Sequence, residues 1–361
     1  MNTVRLANNL AQRGLDVSVL VVRPGGAYER LLSPQVKLVP LGRSNIVRSS
    51  TAAMLGSAPA LRRWVSRHRP AVLIPVMDLP AVVLLLALTG LSPRPRLVIN
   101  IQNNPDAKAR QGTVVRAAIA MSNLLYPQAD TVVALSRGVA ESLQRRIAAL
   151  AGKLRVIANI GFAPDLAERL SETPSEHPVN GRKLIVAVGR LVEQKGYPVL
   201  LNALAQLQGR VDFECWVLGT GVMESALKAR VAELGLGDRV RFLGFRANPY
   251  AYMARAEVFV LSSLWEGFGN VLVEAMASGT AVISSDCPYG PAEIIEDGVS
   301  GCLVAAGDAA ALAAKIEQVL GDKEMRARLV EGGLRRARDF NGDSIADQWL
   351  AVLGGNHGQP V

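Results

Sequence analysis

The sequence predicts an α/β protein of two doubly wound parallel-sheet domains in series, with a ligand cleft expected between them. Three observations lead there. At 361 residues the chain exceeds the roughly 250–300 over which a single core usually grows. Half of the residues are hydrophobic and a fifth charged, with aromatics few, a balance that suits buried strands covered by helices. Short apolar runs also alternate with helical patterns along almost the whole length, the βα rhythm of a parallel sheet.

In the first half, DVSVLVV at 16–22, AVLIPV at 71–76, LVINI at 97–101 and TVVAL at 131–135 read as buried strands. Helical patterns fall at 3–13, 58–67, 113–125 and 137–149. The greasiest run, PAVVLLLALTGL at 80–91, is shorter than the ~20 residues a membrane span needs, so it reads as a buried helix. A polar stretch with three prolines at 163–182 looks like a linker. Beyond it come strands at 184–188, 212–218, 240–243, 257–261, 281–284 and near 301–304. The expected organisation is an N-terminal domain over 1–165, a linker over 166–182 and a second domain over 183–338, with a last helix at 339–354.

The start is unusual. Position 2 already lies in a helical pattern, whereas a doubly wound domain opens with a central strand and a Gly-rich turn. Losing that strand would leave both neighbours with unpaired backbone groups. A true start about 15–20 residues upstream is therefore expected, at ~3.3 Å per strand residue plus a turn.

Composition narrows the function classes. Cys215, Cys287 and Cys302 share no metal-ligand spacing and make a poor disulfide set, which points to free thiols in a reducing, cytoplasmic compartment. No basic flank and apolar core marks a signal peptide. The net charge of +9 concentrates in Arg62, Arg63, Arg67, His68 and Arg69, and in Arg145, Arg146, Lys153 and Arg155. These are either solvated helix faces or a surface that docks on the anionic inner face of a membrane. Nucleic acid is not an expected partner, because no aromatic interleaving or binding module accompanies the charge.

The strongest chemical signal is EGFGNVLVE, in which Glu266 and Glu274 stand with seven residues between them. Glu266 lies just past an apolar strand. Gly267 and Gly269 let backbone N–H groups approach a ligand, and the helix starting near Asn270 offers its positive end to an anion. Glu274 sits among apolar helix residues, where a carboxylate is costly unless hydrogen-bonded, and a ribose diol would satisfy it. Two surface glutamates spaced by chance are the plain alternative. Gly189, Arg190 and Lys195 follow another strand as a Gly-flanked cationic turn suited to a diphosphate. Gly219 and Gly221 follow a third strand, and Phe245 and Arg246 a fourth.

With those residues in place, the second half resembles the nucleotide-sugar domain of retaining glycosyltransferase family 4, of the GT-B fold. The similarity runs over GRLVEQKG, the GTG turn, DRVRFLGF, SSLWEGFGNVLVEAMASGTAVISSD and PAEIIEDGVSGCLV, and more loosely over LANNLAQRGLDVSVL, DTVVALSRGVAESL and VIANI. It implies two Rossmann-like domains facing a cleft and an acceptor-binding first domain. Arg190 and Lys195 would hold and stabilise the diphosphate leaving group. Glu266 would contact the transferred sugar, with Gly267, Phe268 and Gly269 beside it. Glu274 would bind ribose and the Phe245–Arg246 backbone the base. The segment FNGDSIADQWLAVL resembles the family's final helix, which crosses back to the first domain. The cations would replace a metal, and no cofactor is implied beyond the nucleotide-sugar co-substrate.

Two departures concern the acceptor side: the Gly-rich first loop is absent, and Gln102 stands where the family often has a histidine facing the sugar. His68, His177 and His357 fall in no motif. SSDCPYGPAEII resembles members acting on UDP-hexosamine or UDP-galactose-type donors for surface glycans, which implies a UDP-sugar and a lipid-linked or polysaccharide acceptor. A UDP-N-acetylglucosamine 2-epimerase shares the fold, but the Glu266–Glu274 spacing with GRLVEQKG speaks against it. An inactive nucleotide-sugar binder is a third reading.

Overall fold

A computed structural model describes residues 1–26, 28–42, 50–102, 112–179 and 181–354. His357 lies outside the described residues. The chain divides into two compact units: Met1–Ile160 with the segment from Gly342 onward, and Gly161–Asn341. Residues 166–182, read as a linker, fall inside the second unit. They contain a short helix, Leu166–Ser171, and the Val179 N–H donates to Glu214.

Among its described residues the first unit holds six parallel strands in two sheets. β1 (Ser18–Val21) pairs with β2 (Lys37–Pro40). β3 (Val72–Leu73), β4 (Arg96–Ile101), β5 (Thr131–Ala134) and β6 (Leu154–Val156) form the other sheet in that order. Among the described residues no pairing joins β1 to β3, and the break falls where a doubly wound order has its first strand. Leu6 and Leu10 of the helix Asn2–Gln12 share a core with Val98, Val133 and Ile157, and with Ile345 and Trp349 of the helix Gly342–Leu353. Arg13 fastens the two helices through Asp343 and Asp347.

The apolar run around residue 80 forms the helix Asp78–Leu88, buried at seven of its aliphatic positions. No helix among the described residues is long and apolar enough to cross a membrane. Part of the basic surface is spent internally: Arg62 donates to the carbonyls of Ala87 and Thr89 at the end of that helix, and Lys153 to those of Pro127 and Ala129.

The second unit is one parallel sheet built from β7 (Lys183–Val188), β8 (Phe213–Leu218), β9 (Val240–Gly244), β10 (Val258–Leu261), β11 (Ala281–Asp286) and β12 (Cys302–Ala305). Its order, β12-β11-β10-β7-β8-β9, is the Rossmann order, with the switch point between β7 and β10. Near-continuous apolar strands follow from burial on both faces: every residue of β8 and β10 is buried. Cys215, Cys287 and Cys302 are free and buried.

Candidate active site

The carboxyl ends of β7 and β10 flank the switch point, where a doubly wound sheet opens a crevice for ligands. The loop after β7 carries Gly189, Arg190 and Lys195; the loop after β10 carries Glu266 and the glycine run. Lys195 Nζ donates to Glu266 Oε1 at 2.5 Å, and both side chains are largely buried. Ser263 Oγ donates to the same oxygen at 2.7 Å, and Gln194 Nε2 lies 3.4 Å from Oε2. An ionised carboxylate offers about four acceptor sites, so three donors leave room for one more. Gln194 also donates to the Trp265 carbonyl at 3.0 Å, and its own carbonyl accepts the Leu264 N–H at 2.8 Å. Arg190 stays exposed, its Nη2 3.5 Å from Gln194 Oε1.

The glycines explain the close approach of these loops. A Cβ at Gly196, whose φ is +58°, would stand 2.1 Å from the Ser262 carbonyl oxygen, so the β7 and β10 loops touch backbone to backbone. One at Gly219 would meet the Gly189 carbonyl oxygen at 1.9 Å, and one at Gly221 the Leu191 carbonyl oxygen at 2.3 Å. The Lys195 stem lies across Gly189, whose carbonyl accepts from the buried Tyr197 hydroxyl at 3.1 Å. Burial pushes the Tyr197 phenol well up, which keeps it a donor.

Gly269, at φ +97°, caps the helix Asn270–Ala277. Asn270 Oδ1 is buried at its first turn without a hydrogen-bond partner among the described residues. Phe268 is buried edge-on against Phe340, 5.4 Å between centroids. The CPYGP turn packs on this loop: the Glu266 N–H donates to the Pro288 carbonyl at 2.9 Å, and a Cβ at Gly290 would stand 2.3 Å from the Phe268 carbonyl oxygen. Burial pushes the Cys287 thiol up to about 12, so it is a packing group there and not a nucleophile. Glu274, one turn into the helix and half-buried, has the Tyr250 hydroxyl 3.3 Å from its Oε1.

After β9, Phe245 is 65% exposed, while Arg246 is bound through its side chain to Glu176 and the Tyr252 hydroxyl. Tyr252 also donates to Glu176 at 2.7 Å, and this bond, joined by Arg246, lowers the Glu176 carboxyl from the ordinary 4.5 to about 2. A depressed folded value adds stability that is present above pH 4.5 and lost as the pH falls towards 2. Glu176→Gln is therefore expected to lower the urea midpoint at pH 7, with the gap to wild type closing between pH 4.5 and 2. A gap independent of pH would contradict the clasp.

The second unit thus holds every anticipated site residue except Gln102, and brings Lys195 onto Glu266 and Gly219 against Gly189. Gln102 belongs to the first unit, at the end of β4, where it donates to Asn100 Oδ1 at 2.8 Å and accepts from Asn2 at 3.4 Å. Gln194, Ser263, Tyr197, Tyr250 and Glu176 were not anticipated. Ser263, three residues from Glu266, and Gln194, next to Lys195, carried a local signal.

Comparison with known proteins gives the family and the fold. Residues 2–159 match the Glycosyl transferase 4-like domain and residues 170–336 the Glycosyl transferases group 1 family. The chain is 33% identical over 261 residues to the N-acetylgalactosamine-N,N'-diacetylbacillosaminyl-diphospho-undecaprenol 4-alpha-N-acetylgalactosaminyltransferase of Campylobacter jejuni, covering 72% of this chain and 69% of that one. This chain belongs to the glycosyltransferases. It is also similar to the lipopolysaccharide core biosynthesis glycosyltransferase LpsE of Rhizobium meliloti, 29% identical over 97% of this chain and 94% of the relative. Among solved structures, HepE of Anabaena in complex with UDP and glucose superposes with a TM-score of 0.79 at 22% identity, over 98% of this chain and 95% of that one. The sucrose-phosphate synthase of Thermosynechococcus elongatus gives 0.80 at 24%, over 96% and 90%. At those identities the likeness establishes the fold, which is GT-B.

Proposed function

We propose that the protein is a retaining, metal-independent glycosyltransferase of family 4 type. It moves a hexose or N-acetylhexosamine from a nucleotide-diphosphate sugar, a UDP-sugar, to a lipid-linked or polysaccharide acceptor in surface-glycan assembly. The observation that carries this reading is the buried Lys195–Glu266 pair at the sheet's switch point, with Arg190 on the same loop as Lys195 and the helix Asn270–Ala277 beginning just past Glu266. Relatives whose names specify lipopolysaccharide core biosynthesis and a diphospho-undecaprenol acceptor support the acceptor class.

In the proposed reaction the bond between the sugar C1 and the diphosphate oxygen breaks, and negative charge grows on the leaving phosphate. Arg190, Lys195 and the first N–H groups of the helix Asn270–Ala277 stabilise that charge, so no metal is required. The acceptor oxygen bonds to C1 on the same face, and its proton passes to the leaving phosphate. Glu266 holds Lys195 and spends its remaining acceptor site on a sugar hydroxyl. Asn270 Oδ1, lacking a donor, suits a second hydroxyl. Glu274 takes the ribose diol, and the backbones of Gly189, Gly219, Gly221 and Phe245–Arg246 close on the diphosphate and base. Gln102 serves as a hydroxyl ligand through its amide. Exposed Arg63, Arg67 and Arg69 suit docking on the anionic inner face of a membrane, and the proposed location is the cytoplasm.

Proton NMR of the product tests the stereochemistry: an α-linked sugar from an α-linked donor supports retention, and a β-linked one overturns it. Glu274→Ala is expected to weaken UDP binding by about 1–3 kcal/mol, the worth of a charged hydrogen bond. An unchanged dissociation constant in calorimetry would remove the ribose role.

A further inference from the structure

The loop after β9 supplies more than the Phe245–Arg246 backbone. Five residues beyond Phe245 it begins a short helix, Tyr250–Met253, and Tyr250 is 2% exposed, its ring fixed in the second unit. The phenol oxygen accepts the Ala163 N–H at 3.2 Å. With that donor in place, its own proton is directed onto Glu274 Oε1, 3.3 Å away. The hydroxyl is held from one side by backbone and spends its hydrogen on the other.

We infer that Tyr250 is a positioning residue for nucleotide recognition: it fixes the Glu274 carboxylate in the rotamer that receives a vicinal diol, making the site selective for ribonucleotide over deoxyribonucleotide diphosphates. The inference rests on the ribose role proposed for Glu274. A glutamate side chain turns about three bonds, and a diol needs both carboxylate oxygens presented together. One oxygen pinned by a buried phenol stops that rotation. Neither ligand nor backbone has then to pay for ordering the carboxylate on binding.

Tyr250→Phe tests this by removing one oxygen from a packed ring. Calorimetric titration with UDP and with 2',3'-dideoxy-UDP separates positioning from mere packing. The variant is expected to bind UDP about fivefold to tenfold more weakly, in line with one hydrogen bond, and dideoxy-UDP as wild type does. In a Glu274→Ala background the same change should have no further effect on UDP. Equal weakening of both ligands would make Tyr250 a structural residue and overturn the inference, as would UDP binding that does not change. If Glu274→Ala weakens UDP binding and Tyr250→Phe leaves it intact, the ribose reading stands and the positioning role falls. If Glu274→Ala itself has no effect, both fall together.

Discussion

Lys195→Ala is expected to lower kcat by about 10²–10³-fold, the cost of losing one preorganised group facing charge that develops in the transition state. Two effects combine in that variant, and they can be separated. The ammonium is the partner of a buried carboxylate, so its removal leaves Glu266 desolvated and unpaired, at a cost of about 3–5 kcal/mol in stability. Ser263 and Gln194 still donate to Glu266 and should hold the loss to the lower end. A Lys195→Met, Glu266→Gln double variant removes the buried charges together and keeps the volume, so it should recover most of the unfolding free energy while remaining as inactive as Lys195→Ala. Recovery of both stability and turnover would show that the lysine is there only to neutralise Glu266.

The second large effect is expected at Gly219. Alanine there would bring a methyl group 1.9 Å from the Gly189 carbonyl oxygen and force a φ of +135° on a residue with a side chain. Backbone cannot yield as a flexible side chain does, so the loops after β7 and β8 must part. The strain and overpacking together should cost about 2–4 kcal/mol. Separated loops would also misplace Lys195, which is anchored between Gly189 and Glu266, so UDP affinity should drop at least about tenfold, or ~1.4 kcal/mol. Chemical denaturation and calorimetry read the two consequences. A variant of wild-type stability and affinity would mean that the loops are loosely joined.

Much of this was legible in the sequence because parallel strands buried on both faces leave long apolar runs. Stretches such as LIVAV, CWVL and VFVL in β7, β8 and β10 stand out against polar helix faces. The glycine and charge placements at their carboxyl ends were equally visible, since a ligand loop breaks the apolar run abruptly. What escaped was short or exposed. β2 reads KLVP and β6 reads LRV; both are largely solvent-facing, so no apolar run marks them. Pairings across long sequence separations were also invisible. Lys195 and Glu266 are 71 residues apart, and each could be assigned to a ligand but not to the other. Tyr250 and Glu274 come from different helices, and an aromatic next to a proline in NPYAYM looks like ordinary packing. Glu176 lay in a stretch whose charges and prolines suggested solvent, though it reaches Arg246 and Tyr252.

The central claim is that the loops at the β7–β10 switch point bind a nucleotide diphosphate without a metal. Calorimetric titration of the protein with UDP in EDTA, against GDP and ADP under the same conditions, tests it most directly. Saturable binding of UDP, tighter than that of GDP or ADP and undiminished by EDTA, is the predicted result. Failure of all three to bind, or binding that appears only when a divalent cation is restored, would contradict it.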